Sequence, residues 1–438
     1  MKLLSKIIFY LILVVFPLGQ LLRINLPFLG PDATLQPIDG LVFFFSLFWL
    51  GHIFLKKKDV NPPLFFKEFL IFGAIAGFSL LLKLDFPAIK TVNVFLSNLT
   101  KNEIRVLSFG EFIPPLLYLA RFWNYIVFYF CITDFFREER KSSSKYFIFG
   151  GLAIAFIAIG QYAFFPDTRI LKYIGWDDHY FRAIGSFLDP GFTGVILVLS
   201  LIALIIDFLD EEKSLHPKII FASFILLLAT GLSFSRASYI VLVIGMMLTF
   251  FFHKRLKAYM ILSVVFAAII FLIPKPGGEG VDLLRKSSIF AKSDNYKQIW
   301  EIIENNTWLG VGFNAYRYAQ RDYGFISNRD WQSTHAGAGA DNSFLFVWAT
   351  AGFLGFLSFV YLWWRIVIES YYSIKRSKTS LLVFVVSIVL VISSTVINSL
   401  FYPWILFWLV LLLSEFTVEN ELPTQVQSCS EPDQSTQS

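Results

Sequence analysis

Cysteine and histidine are scarce in this chain, and the scarcity removes several chemistries. The two cysteines are Cys131, inside an apolar run, and Cys429, in a polar tail, positions that give no disulfide framework. The five histidines and two cysteines show no metal-ligand spacing. No Gly-x-x-x-x-Gly-Lys-Ser/Thr loop is present, so the sequence offers no ATP site. The first apolar run, Ile7 to Leu22, has no small-residue cleavage site before Arg23, so it reads as a retained first helix. No internal repeat is visible. Charge is thin as well, at 16% of residues, where a soluble domain carries about 25%.

Apolar residues take up the space. They make up 56% of the chain, with 18% aromatic and a mean hydropathy of +0.63. They come in repeated runs of roughly 17–25 residues, the length a helix needs to cross the hydrocarbon core. The fold class is therefore an all-α polytopic membrane protein with about 12 transmembrane helices. The spans read as 6–22, 38–55, 63–83, 112–134, 146–165, 190–209, 218–234, 237–253, 258–274, 341–364, 380–398 and 400–416. Four parts follow: spans one to nine over 1–274, a large helical extracytoplasmic loop over 275–340, spans ten to twelve over 341–416, and a disordered cytoplasmic tail over 417–438. That tail is rich in Ser, Gln, Glu and Pro.

Every second connection is basic. Lys2 and Lys6 precede the first span, Lys56 to Lys58 follow the second, and Arg137, Arg140, Lys141 and Lys145 follow the fourth. Lys213 and Lys218, Lys254 to Lys257, and Lys375 to Lys378 continue the series. Positive charge marks the cytoplasmic side, so both termini are expected there. The net charge of +5 is absorbed by these loops and calls for no nucleic-acid partner. In the 275–340 loop, Ser293 is expected to cap a helix with Tyr296, Ile299, Trp300 and Ile303 on one face. Gly310–Val311–Gly312 breaks it, and a short helix is expected over Asn314 to Gln320. The connections 84–111 and 166–189 read as outer loops.

Chemistry is concentrated where three outer segments meet the spans: FRAIGSFLDPGFTG (Phe181 to Gly194), GLSFSRASY (Gly231 to Tyr239) and the run from Ser333 to Phe356. Arg182 and Asp189 sit in the first, and Arg236 in the second. Arg121 lies within the fourth span. Charge near hydrocarbon is costly unless it pairs or binds something. Guanidinium groups hold phosphate by two parallel hydrogen bonds and stay charged. Three converging arginines suit a ligand with a lipid tail and a phosphate head. The plainer alternatives are an Arg182–Asp189 pair and an Arg236 that snorkels to headgroups. His335 and Asp341 precede the tenth span and are candidate general bases. Asp341 and Asn342 are also ordinary helix caps, which suffices for Asn342.

These segments resemble the O-antigen ligase and O-antigen polymerase family of bacterial envelope glycosyltransferases. FRAIGSFLDPGFTG is similar to the family's Arg-x-x-Gly-x-Phe-x-Asp-Pro segment, and SFSRAS to its Ser-Arg turn. NTWLGVGFNAY (Asn306 to Tyr316) resembles a stretch built on Gly-Val-Gly, and DNSFLFVWATAGFLGFL a helix start that opens His-Asn in the family. The resemblance covers Arg121 to Trp364. It implies transfer of a glycan from an undecaprenyl-diphosphate carrier to an acceptor glycan or glycolipid. The reaction would lie at the outer face of the cytoplasmic membrane, among membrane lipids, without metal, nucleotide or other cofactor. Arginines would hold the diphosphate, and a histidine of the last outer loop would be the base. Here Asp341 stands where that histidine falls, with His335 six residues earlier, so either is a candidate. The competing class is a polytopic transporter of an anionic lipid-linked or small substrate, which a two-fold repeat in the bundle would favour.

Overall fold

A helix lies on each of the twelve apolar stretches. In chain order they are α1 (Lys2–Val15), α2 (Pro37–Lys56), α3 (Phe66–Leu81), and, after the helix α4 (Pro87–Thr100), α5 (Phe109–Glu139), α6 (Ser144–Phe164) and α7 (Pro190–Asp210). Then come α8 (Pro217–Leu232), α9 (Arg236–Phe252) and α10 (Leu256–Leu272). Two helices of the large loop follow, α11 (Ser287–Asn305) and α12 (Tyr316–Asp322), before α13 (Ser343–Ser373), α14 (Lys378–Ser393) and α15 (Pro403–Ser428). The computed structural model describes residues 1–26, 34–100, 106–139, 142–174, 176–210, 216–273, 279–283, 285–327 and 339–428. Among the described residues, seven helical segments are long and apolar enough to cross a membrane, and α8, α9, α10 and α14 are shorter apolar helices.

The centre of the bundle is α7, packed by α6, α8, α9 and α14. Its residues from Thr193 to Ile206 are all buried, as an all-round apolar helix must be. Small residues let its neighbours close in. A Cβ on Gly194 would stand 2.1 Å from Ser238 Oγ of α9.

One end of the bundle pairs its charges. Lys2 Nζ reaches Glu138 at 2.6 Å and Glu139 at 3.1 Å, and Lys6 reaches Glu139 at 2.8 Å. Lys58 bridges Asp134 at 2.7 Å and Glu138 at 3.1 Å. Arg137 takes both oxygens of Glu421 at 2.8 and 2.6 Å. This last contact explains a departure from the sequence reading. The tail was expected to be disordered from 417, yet α15 continues to Ser428, with Glu419 receiving Thr379 and Glu421 receiving Arg137. Residues 429–438, with Cys429, lie outside the described residues.

At the opposite end, backbone holds the large loop down. Gly352 interrupts α13 with φ +72°, freeing carbonyls of the turn before it. Val311 N–H donates to Ala349 O (2.8 Å) and Gly312 N–H to Thr350 O (3.0 Å). Phe353 N–H returns a bond to Thr307 O (2.9 Å). Ser79 Oγ of α3 lies 2.8 Å from Leu309 O and 2.7 Å from Thr350 O. A Cβ on Gly352 would stand 2.1 Å from Trp308 O, and one on Gly310, itself at φ +64°, 2.4 Å from Thr350 O. Only glycine fits both the dihedral and the gap.

Two helices differ from expectation in the outer connections. α11 begins at Ser287, so Ser293 lies inside it rather than capping it. Ile299, Ile302 and Ile303 are its buried face, while Trp300 is half-exposed at the edge against Trp348. The connection 84–111, read as a loop, contains α4. Pro87 presets its first turn, and no Gly or Pro follows before the helix ends.

Candidate active site

Arg182 and Arg236 each lie near a third arginine, Arg285, the first through charge and the second through a hydrogen bond. Arg182 Nε donates to Ser233 O at 3.0 Å and Nη2 to Phe234 O at 3.3 Å, in the turn that starts α9. Arg236 is the first residue of α9, whose cap is Ser235, and its Nη1 donates to Arg285 O at 3.2 Å. Arg285 Nη1 in turn donates to Gly280 O (2.9 Å) and Asp282 O (3.0 Å). Burial, and then the charge of Arg285, push the Arg182 guanidinium down to about 10. It remains a cation at neutral pH, in a place that opposes its charge. An anion would relieve that opposition.

A set of acids and one histidine faces this group. Asp189 does not take Arg182 in a hydrogen bond; its Oδ1 accepts the Phe192 amide at 2.7 Å and caps α7. Asp177, His179 and Asp189 each bring a ligand atom within 4.8 Å of the others, donor chemistry that a divalent cation accepts. Sequence spacing did not single out this set, although the run Trp176–Asp177–Asp178–His179 just before Arg182 was its signal. Burial and then Arg182 hold His179 down at about 3, so its ring is neutral at pH 7. Burial raises Asp177, and the charges of Asp189 and Asp341 raise it further.

Asp341 belongs to the same electrostatic neighbourhood. Its main-chain N–H donates to Asn295 Oδ1 at 2.9 Å, and Lys292 Nζ lies 3.6 Å from its carboxylate, both from α11. Burial raises its pKa, against the pull of Lys292. Asp341 is not the helix cap. Asn342 is, accepting the Phe344 and Leu345 amides at 2.9 and 3.0 Å. His335 lies outside the described residues.

Arg121 does not join the other arginines. Its Nε binds Asp39 Oδ2 of α2 at 2.6 Å, and its guanidinium lies over the Tyr118 ring at 4.8 Å. Reading the chain without its partners missed Asp39, which sits 82 positions away and answers the charge directly. Arg121 instead lines a cavity of about 370 Å³ with Arg23, Arg317, Trp176, Tyr316 and Tyr402 among its walls. The cavity adjoins the acid set. Trp176 precedes Asp177, Phe192 is bonded to Asp189, and Gly339 of the wall lies two residues before Asp341. Phe192, Asn314, Tyr316 and Phe346 of its wall lie in the segments singled out in the sequence, while the residues from 20 to 36, α5 and the turn before α15 carried no such motif.

A search among curated proteins found no match. Residues 221–360, which run from α8 into α13 and carry Arg236, Arg285 and Asp341, match the family model described as O-antigen ligase, so the resemblance read from the sequence holds over that part of the chain.

Proposed function

We propose that this protein transfers or polymerises an oligosaccharide, moving it from an undecaprenyl-diphosphate carrier to a glycan hydroxyl at the outer face of the cytoplasmic membrane. All twelve apolar helices cross, both termini are cytoplasmic, and the 275–340 segment is the outer loop. The observation that carries the reading is that Arg182 and Arg236 both lie near Arg285, and that Arg182 and Asp341 both act on Asp177, at the end away from the basic connections.

Arg182 and Arg236 hold the diphosphate. The acceptor hydroxyl attacks the anomeric carbon, and the bond from that carbon to the phosphate oxygen breaks. The diphosphate leaves with the electron pair, and the hydroxyl proton passes to a base. Fixed cations stabilise the charge that gathers on the leaving group. Asp341 is the base we favour, because its raised pKa makes it a better proton acceptor than an ordinary aspartate. His335 is its rival. The polyprenyl chain has a lipid-facing surface close by, since Phe271 and Leu272 at the outer end of α10 are exposed.

The test is transfer by the purified protein from an undecaprenyl-diphosphate glycan to an acceptor glycan. Activity that survives Arg182→Lys and Arg236→Lys at wild-type level refutes the assignment. In cells lacking the protein, long lipid-linked polymer indicates a ligase, and single lipid-linked repeat units a polymerase.

A further inference from the structure

We propose that the cavity beside the acid set binds an acidic sugar residue of the glycan, one that carries a carboxylate or phosphate substituent, between Arg23, Arg121 and Arg317. The proposal rests on the glycan-transfer reading and names the substrate class within it.

Charge is the first argument. Three guanidinium groups line the cavity, and among the described residues no Asp or Glu does. Asp39 meets Arg121 from α2 without lining the space. The forked guanidinium matches a carboxylate or phosphate in two parallel bonds. The second argument is the rest of the wall. Arg23 lies over the Trp176 ring at 5.2 Å, which fixes a flat aromatic and cationic surface. Sugar rings present apolar C–H faces that lie on such surfaces, while their hydroxyls bond to amides. Gln20 donates to Tyr402 Oη at 3.3 Å and accepts from Gln36 at 2.7 Å, a polar chain along the same wall.

The third argument is an unmet hydrogen bond. The Tyr316 side chain is 1% exposed, lines the cavity, and its hydroxyl has no hydrogen-bond partner among the described residues. A buried hydroxyl left unpaired is costly, and a ligand hydroxyl or acid oxygen supplies the missing bond. The volume of about 370 Å³ falls in the range of roughly 300–1,000 Å³ typical of small-molecule sites. That suits a sugar with its substituent and not a polyprenyl chain. The carrier's diphosphate has its own place at Arg182 and Arg236, on the α10 side. A glycan held there by its first sugar extends past Asp189 and Trp176 into the cavity.

The experiment measures binding to the purified full chain in nanodiscs, using cellobiouronic acid and cellobiose. These differ by one carboxylate. The acidic disaccharide should bind at least about tenfold tighter, as a charge-assisted bond implies. Arg23→Gln and Arg317→Gln should each remove most of that preference. Tyr316→Phe keeps the volume, and should weaken both sugars without lowering the unfolding temperature. Arg121 is left intact because its loss strands Asp39. Equal binding of the two sugars overturns the acid preference and leaves the transfer reading standing. No binding of either, or a preference that survives both arginine variants, overturns the proposal. Inorganic diphosphate is the competitor. If it displaces the acidic sugar through Arg23 and Arg317 and is indifferent to Arg182→Lys, the cavity is the diphosphate site, and the assignment of Arg182 falls too. If acidic-sugar binding behaves as expected but no transfer occurs from any diphosphate-linked donor, the transfer reading fails while the site remains.

Discussion

The two ends of the bundle treat charge in opposite ways. At the end that carries the N-terminus, Lys2, Lys6, Lys58 and Arg137 each reach a carboxylate within 3.1 Å. At the other end Arg182 donates only to main-chain carbonyls in its observed hydrogen bonds, and Arg236 and Arg285 also bond carbonyl oxygens. Two of the carboxylates at this end have other contacts as well: Asp189 caps a helix and Asp341 lies by Lys292. A carbonyl satisfies an N–H but leaves the positive charge in place. The first arrangement is what a structural charge looks like at a membrane boundary. In the second, our proposal gives Arg182, which is bonded to two carbonyls, the diphosphate to hold. Arg121 shows that depth alone does not separate the two kinds, since it lies on a spanning helix and is paired.

The comparison breaks most sharply at the base. Asp341→Asn should cut turnover by about 10²–10⁴-fold, the usual contribution of a positioned proton acceptor. Donor binding should persist, because the arginines are untouched. The pH dependence has a definite sign. A base works when ionised, so activity falls as pH drops through its pKa. That pKa is raised by burial, so the acid limb should lie above the ordinary aspartate range. A limb unchanged in Asp341→Asn, but lost in His335→Ala, transfers the role to His335.

Arg182→Lys and Arg236→Lys come next. Lysine keeps the charge and loses the fork, so each should lower kcat/KM by about ten- to a hundredfold, on the scale of a charge-assisted hydrogen bond. Expression and thermal unfolding should hold. A variant that unfolds would place the arginine with the structural charges of the opposite end.

How much of this was legible follows the range of each signal. The twelve apolar runs are local, and helices lie on all of them. Arg182 and Arg236 were recognisable because each lies at the end of a span, and the chain between them is a single helical hairpin. The kink at Gly352 was hidden, because a glycine within an apolar run looks the same whether or not the 306–312 segment docks on it. Asp39 and Arg121 illustrate the same limit, as does the cavity, whose wall joins residue 20 to residue 403. Ser293 misled because its cap-like neighbours Asp294 and Asn295 serve the surface and the anchoring of Asp341, not a helix start.

Gly352→Ala tests whether the end away from the N-terminus is organised by backbone rather than by ion pairs. The alanine meets both a positive φ and the Trp308 carbonyl at 2.1 Å. Strain of this kind costs about 1–3 kcal/mol. Thermal unfolding should move down, and turnover should fall with it, since the same contact positions α12 and the cavity wall. An unchanged unfolding temperature would mean that the loop docks by other contacts.

The smallest effect is expected from Glu138→Gln at the opposite end, and redundancy is the reason. Glu138 receives Lys2 at 2.6 Å and Lys58 at 3.1 Å. Remove its charge and neither cation is stranded. Lys2 still reaches Glu139 at 3.1 Å, and Lys58 still reaches Asp134 at 2.7 Å. The Lys2 side chain is 37% exposed, so water and salt also screen what is lost. Pairs of this exposure contribute at most about 1 kcal/mol. Turnover should match wild type, because the site lies at the far end of the spans. A shift in thermal unfolding as large as that of Gly352→Ala would show that the charges around Glu138 act as one cooperative network. The N-terminal end would then be held by ions as firmly as the opposite end is held by its backbone.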